Sequence, residues 1–142
     1  MNAQQAKDII LTVFKTKWDA LKTASPTLYV DAVYNDVPSA TPTGEKVWAR
    51  ATVRHVVARQ RSLADSTGKK RYENKGFVWV QVFAPIGDGS TVALAASQAI
   101  VDAFRDAKTS VLFRNARLEE MGCDGAFERV DVKSDFEYDE VR

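Results

Sequence analysis

Apolar residues recur at helical spacing over residues 3–22. Ala6, Ile10, Val13, Phe14, Trp18 and Leu21 form one stripe, while Gln4, Gln5, Lys7, Asp8, Lys15 and Asp19 fall mostly elsewhere. A period near 3.6 with one apolar face predicts an amphipathic helix. Ser25-Pro26 stops it, because the residue before proline is driven out of the α region. Residues 28–37 read as a short extended piece ending at Pro38. Residues 38–45 hold two prolines, two threonines, a serine and Gly44, the composition of a loop. From Val47 the period changes to two. Val47, Ala49, Ala51, Val53 and Val57 alternate with Arg50, Thr52 and Arg54, as in a strand with one buried face.

Residues 59–76 are polar and basic and contain Gly68, which suits a long loop or two strand arms joined by an exposed turn. Residues 77–84 (FVWVQVFA) are β-branched or aromatic on both faces, as in a strand central to a sheet or covered by a partner. The turn Pro85-Ile86-Gly87-Asp88-Gly89 follows. Ser90 or Thr91 can cap the next helix, residues 91–107, with Val92, Ala96, Ala99, Ile100, Ala103 and Phe104 as its inner stripe. Its alanines let it lie close against a sheet. Residues 111–121 and 127–138 form a hairpin around a tight turn at 122–125, with Val130, Val132, Phe136 and Tyr138 on one face. The order of elements predicts an α+β fold: a mostly antiparallel, twisted sheet with two helices packed on one face. Residues 1–142 read as one domain, with no repeat or low-complexity tract.

Composition supports a folded chain, since 45% of its 142 residues are hydrophobic and 27% charged. The net charge of +1 removes a global case for nucleic-acid binding, but the charge is unevenly spread. Residues 50–76 carry eight bases and two acids, net +6; residues 119–142 carry nine acids and three bases, net −6. Opposed segments of this kind suit charge-steered association. The lone Cys123 precludes an internal disulfide and fits a reducing compartment. The first apolar run, Ile9-Ile10-Leu11, is too short and too interrupted for a secretory signal, and no stretch approaches membrane-spanning length.

The inventory leaves little room for catalysis. His55 is the only histidine, so neither a zinc site nor a Ser-His-Asp triad finds its parts easily. It sits beside Val53 and Val57 on the apolar-leaning strand face and reads as a packed or hydrogen-bonded histidine. Cys123 lies in a turn with no adjacent base and reads as a spare thiol. Gly87-Asp88-Gly89-Ser90 precedes a helix but lacks both the third glycine of a dinucleotide fingerprint and the Gly-Lys-Ser/Thr of a P-loop. Asp131, Lys133, Asp135 and Glu137 alternate on one strand and read as its wet face. No catalytic, metal or cofactor site is expected, and the chain is expected not to be an enzyme.

The basic stretch is the strongest positive signal. Arg59, Arg61, Lys69, Lys70 and Arg71 flank the expected tip, followed by Tyr72, Phe77 and Trp79. Base–aromatic mixtures can clamp single-stranded nucleic acid. Phe77 and Trp79 belong to a strand, however, so the preferred reading is a solvated hairpin or a subunit contact.

Several landmarks resemble those of the small tail-terminator and tail-completion proteins of long-tailed phages. These are the N-terminal amphipathic helix, Tyr34-Asn35-Asp36-Val37-Pro38, and Trp48-Ala-Arg-Ala-Thr-Val-Arg-His55. After them come Gly76-Phe-Val-Trp-Val-Gln-Val-Phe-Ala-Pro85 with Gly87, the alanine-rich helix, and Gly122-Cys-Asp-Gly-Ala-Phe127 leading to Phe136-Glu-Tyr-Asp139. The resemblance spans nearly the whole chain and includes no catalytic motif. It implies a hexameric ring of identical subunits that stops tail-tube growth and presents the tail to the head connector. Its partners would be further copies of itself, the tail-tube protein and a head-completion or connector protein. DNA would only pass through the lumen, and no membrane is involved. Assembly would take place in the host cytoplasm, and the protein would end in the virion tail. The alternatives are a head–tail joining or minor tail subunit and, after these, a small nucleic-acid-binding module. Residues 38–45 and the 59–76 arm are expected to be mobile in the isolated subunit and to dock the tube.

Overall fold

The computed structural model describes residues 1–34, 46–64, 67–87, 90–125 and 127–142. Its elements run α1 (Ala3–Ala24), β1 (Val33–Tyr34), β2 (Trp48–Gln60), β3 (Arg71–Pro85), α2 (Ser90–Asp106), β4 (Leu112–Asp124) and β5 (Phe127–Val141). The expected α+β architecture is present. One five-stranded sheet has the order β1-β2-β3-β5-β4, antiparallel throughout except for the short β1–β2 pair.

Helix α1 begins with a reciprocal cap. The Asn2 side chain accepts from the Gln5 N–H, and the Gln5 side chain accepts from the Asn2 N–H, both at 2.9 Å. Two otherwise unsatisfied donors are thereby paired. The stripe Ala6, Ile10, Phe14 and Trp18 is fully buried. Burying side chains of this size contributes roughly 1.5–3 kcal/mol each. Trp18 also donates from Nε1 to the Val30 carbonyl at 2.8 Å, tying the helix to the chain entering β1. A Lys22–Asp31 ion pair closes the same corner.

Strand β3 is the middle strand, which explains its apolar character on both faces. Val78, Val80, Val82 and Ala84 face the helices with Ala49, Ala51, Val130 and Val132. On α2 the buried stripe is Ala93, Ala96, Ser97, Ile100, Val101 and Phe104. It is rotated from the expected one: Val92, Ala99 and Ala103 are only half-buried. Alternating small residues alone do not distinguish the two rotations, because alanine covers both sides of this helix.

Two strand details differ from the sequence reading, and a third takes one of its two expected forms. A bulge between His55 and Val57 puts Val57 on the opposite face from Val53 and His55. Strand β4 runs on through Asp124, with Gly122 in a second bulge at φ 79° and the turn displaced to Gly125. The 59–76 stretch takes the second of its two expected forms, strand arms: β2 reaches Gln60 and β3 starts at Arg71. The expected loop at 38–45, and any cap preceding Ser90, lie outside the described residues.

Candidate assembly surfaces

The helices divide the sheet into a covered body and a projecting arm. Residues 54–60 of β2 are all exposed, whereas 47–51 are buried or nearly so. The arm still keeps strict pairing. Val57 to Gln60 register with Lys75 to Tyr72, and Arg71 to Lys75 register with Val141 to Glu137. Past the strands, the Arg61 N–H donates to the Arg71 carbonyl at 2.8 Å, and Lys70 and Arg142 exchange two backbone bonds. The arm that the sequence suggests to be mobile is therefore hydrogen-bonded up to Arg61 and from Lys70 onward.

All five basic residues singled out in the sequence gather at this end of the molecule, in different circumstances. Arg71 pairs with Asp139 across the β3–β5 ladder, with Nε and Nη2 both donating to one carboxylate oxygen. Arg61 lies 3.5 Å from Glu73. Lys70 is fixed through its backbone, and Lys69 also makes an interaction within the chain. Arg59 stands opposite Glu73 in the register, exposed and outside any ion pair. Nearby, Lys75 bridges Glu73 (3.3 Å) and Glu137 (3.8 Å), and Arg114 donates to Glu137 at 2.7 Å. The basic and acidic segments thus already meet inside one subunit, because β3 and β5 pair along their whole length. Two of the bases, Arg71 and Lys75, are matched in this way by Asp139 and Glu137. Among the described residues, Arg50, Arg54 and Arg59 of β2 make no ion pair.

The helix-free sheet face of the body holds a second cluster. Trp48 stacks on Phe83 with centroids 4.2 Å apart and 11° between planes, and Phe127 meets both edge-on. Beside them Asp131 is fully buried, although alternation alone suggests a wet residue. It accepts from Trp79 Nε1 at 2.9 Å and from both Nε and Nη2 of Arg129, at 2.8 and 2.9 Å. The Arg129 guanidinium and the Lys133 ammonium lie over the Trp79 ring. A buried carboxylate is tolerated only when so fully paired. The signal in the sequence was the register: Trp79, Arg129, Asp131 and Lys133 are neighbours only once β3 and β5 are aligned.

A third surface is the groove between α1 and α2, about 610 Å³, lined by Ile9, Thr12, Val13, Ala20, Ala103 and Ala107.

Neither His55 nor Cys123 has the partners of a catalytic group among the described residues. His55 Nε2 lies 2.7 Å from the Tyr138 hydroxyl, and its ring packs against Phe136 at 5.3 Å. Burial, with a smaller contribution from the Lys7 charge, lowers its pKa below the usual 6.5. This is the packed, hydrogen-bonded histidine expected. Gly76 makes the packing possible. A Cβ there would run into the Arg54 carbonyl and come within 2.7 Å of Phe136 Cζ. Cys123 is an exposed free thiol. Among the described residues no three His, Cys, Asp or Glu side chains are grouped to hold a metal ion, and no helix is long and apolar enough to cross a membrane.

Fold and surfaces together define an α+β domain with a long paired arm. The family is given by comparison. A family model described as phage tail terminator protein matches residues 14–118, and the chain belongs to that family. Its members are structural assembly proteins, not enzymes, which places the chain in phage tail assembly and in the virion tail, interacting with other tail or head components. No curated protein matches the sequence. A solved chain carrying a sequence code in place of a name shares the fold, with a TM-score of 0.57, 20% identity, and 92% of this chain and 94% of that one covered.

Proposed function

We propose that the whole chain acts as one tail-terminator domain. It assembles into a hexameric ring at the head-proximal end of a long tail, stops polymerisation of the tail-tube protein, and presents a docking surface to the head-completion or connector protein. DNA passes through the lumen without being read. Assembly takes place in the host cytoplasm before the protein is built into the virion. The observation that carries this reading is the family match over residues 14–118. The projecting arm supports it, because a subunit that must meet both its neighbours and a tube needs surface beyond its own core. Arg59, Arg61, Lys69, Lys70 and Arg71 are the proposed subunit or tail-tube contact. Arg54 and Arg59 are the most available of the charges near that end.

The test is a nonsense mutation in the gene, scored by electron microscopy of lysates. Overlong, headless tails support termination. Tails of normal length that fail to join heads favour the head–tail joining alternative. Normal virions overturn both.

A further inference from the structure

Among the described residues, two edges of the sheet are open. Strand β1 pairs with β2 only at Arg50 and Ala51, so among the described residues no strand lies outside residues 52–60 of β2. On the other side, the outer edge of β4 pairs with nothing among the described residues. An open edge presents a row of unpaired N–H and C=O groups, a ready template for another strand.

Both edges carry bulges and charged residues, and β4 has a further register shift between Arg114 and Arg117. Native edges are commonly blunted by proline, by bulges or by charge. Here each edge has a bulge whose extra residue is apolar and exposed: Val56 (64%) on β2 and Met121 (45%) on β4. Val57 and Leu112 add to this. Of the exposed large apolar side chains among the described residues, four stand on these two strands; the others are Leu63, Ile86 and Val141.

We infer that the β2 edge of one copy pairs with the β4 edge of the next, making one continuous sheet through the assembly. The inference rests on the ring reading above. Three antiparallel steps separate β2 from β4, so the two strands run in opposite directions. Rotation about an axis along the strands leaves strand direction unchanged. Each copy therefore meets its neighbour with an antiparallel pair of edges, the same geometry as inside the subunit. Such a heterologous contact repeats around a ring.

Charge selects this seam over the symmetrical alternative. Residues 46–64 contain Lys46, Arg50, Arg54, Arg59 and Arg61 and no acid. Pairing β2 with β2 around its bulge would set Arg54 against Arg59, and like charges directly opposite are destabilising. Strand β4 instead carries Glu120, exposed and in no ion pair among the described residues, and the exposed Glu119, 3.4 Å from Lys133; its Arg114 is held by Glu137, and its Arg117 donates to the Asn115 carbonyl.

Cysteine trapping tests the seam. In a Cys123→Ser background, each of Arg54→Cys, Val57→Cys and Arg59→Cys is combined with Leu112→Cys or Glu120→Cys, all at exposed positions. The full-length proteins are oxidised at high concentration and resolved on non-reducing gels, with thermal melts confirming the fold. Disulfides need close Cα atoms, so only strands truly side by side are trapped, and trapping accumulates even from a minor population. The seam predicts a ladder beyond dimer for at least one β2/β4 pair, and little product from the single-cysteine β2 variants. Dimers from single β2 cysteines would overturn it in favour of a symmetrical contact. No ladder from any pair would overturn it outright. Light scattering on the same wild-type protein separates the two ideas: rings without a β2/β4 ladder sink the seam and leave the ring standing.

Discussion

The body and the arm of this sheet are built from the same strands but held together by different forces. In the body, Val78, Val80 and Val82 are buried between neighbouring strands and helices, and stability comes from apolar burial. In the arm, one face is a ladder of charges: Arg61–Glu73, Lys75–Glu73, Lys75–Glu137 and Arg71–Asp139. The other carries a small aromatic cluster of His55, Phe136 and Tyr138 over Gly76. Exposed ion pairs contribute about 0–1 kcal/mol each. The arm's order therefore depends on backbone pairing and on that cluster, and the junction between body and arm is where a single substitution does most damage.

The largest expected effect follows at that junction. Gly76 lies between His55 and Phe136 in the register, and any side chain there meets the Arg54 backbone as well as the Phe136 ring. Gly76→Ala is expected to cost about 3 kcal/mol or more, since overpacking against backbone cannot relax through a rotamer change. Chemical denaturation reads the loss. A cost below about 1 kcal/mol would mean that the strands separate easily there, and that the arm is less firmly joined to the body than its register implies.

Second is the buried carboxylate of the body. Asp131→Ala removes the partner of Arg129 and leaves Trp79 Nε1 without its acceptor. Breaking a buried pair from one side costs about 3–5 kcal/mol, and Arg129 is partly exposed, so the lower end is expected. Replacing Trp79, Arg129 and Asp131 together by apolar residues should recover much of that loss. A triple variant as unstable as the single one would show that the network does more than satisfy its own members.

These two sites also mark where sequence reading succeeds and stops. Helix α1, the central strand and the C-terminal hairpin were legible because their apolar periods are long and each has one solution. The bulge at Val56 was not, because an extra residue leaves the local composition unchanged while reversing every later side chain. Asp131 looked like a wet-face residue because its partner Trp79 is 52 positions away. The matching of Arg71 and Lys75 by Asp139 and Glu137 was hidden for the same reason: which strands are neighbours is a property of topology, not of either segment. That the basic residues lie at one end of the sheet was legible in the sequence, but not which of them make ion pairs.

A third prediction concerns these basic residues. Reversing Lys69, Lys70 and Arg71 to Glu places a carboxylate at position 71 beside Asp139, turning an ion pair into a repulsion. The expected loss is about 1 kcal/mol, larger than for an ordinary loop change. If the arm tip is a contact, self-association at low salt weakens beyond what this loss explains. Arg59→Glu, which breaks no ion pair, is the cleaner companion: unchanged association in both variants would move the contact away from the arm tip.

The smallest effect is expected from His55. Its pKa is lowered in the fold, mainly by burial and secondarily by the Lys7 ammonium, so the neutral ring is the form the native packing favours. As pH falls below the ordinary value of about 6.5, the unfolded chain takes up a proton that the folded chain resists. Stability then declines, and the decline levels off once the pH is below the folded pKa. His55→Gln removes this contribution while a side-chain amide can still reach the Tyr138 hydroxyl. The difference in stability between wild type and variant should therefore shift toward the variant as pH falls from about 7.5 to about 5.5, with no corresponding change at higher pH. Because the ring is well exposed to solvent, the shift is expected to be slight. A difference that does not vary with pH would mean that the histidine titrates as it does in the unfolded chain. The aromatic cluster would then hold the arm by packing alone.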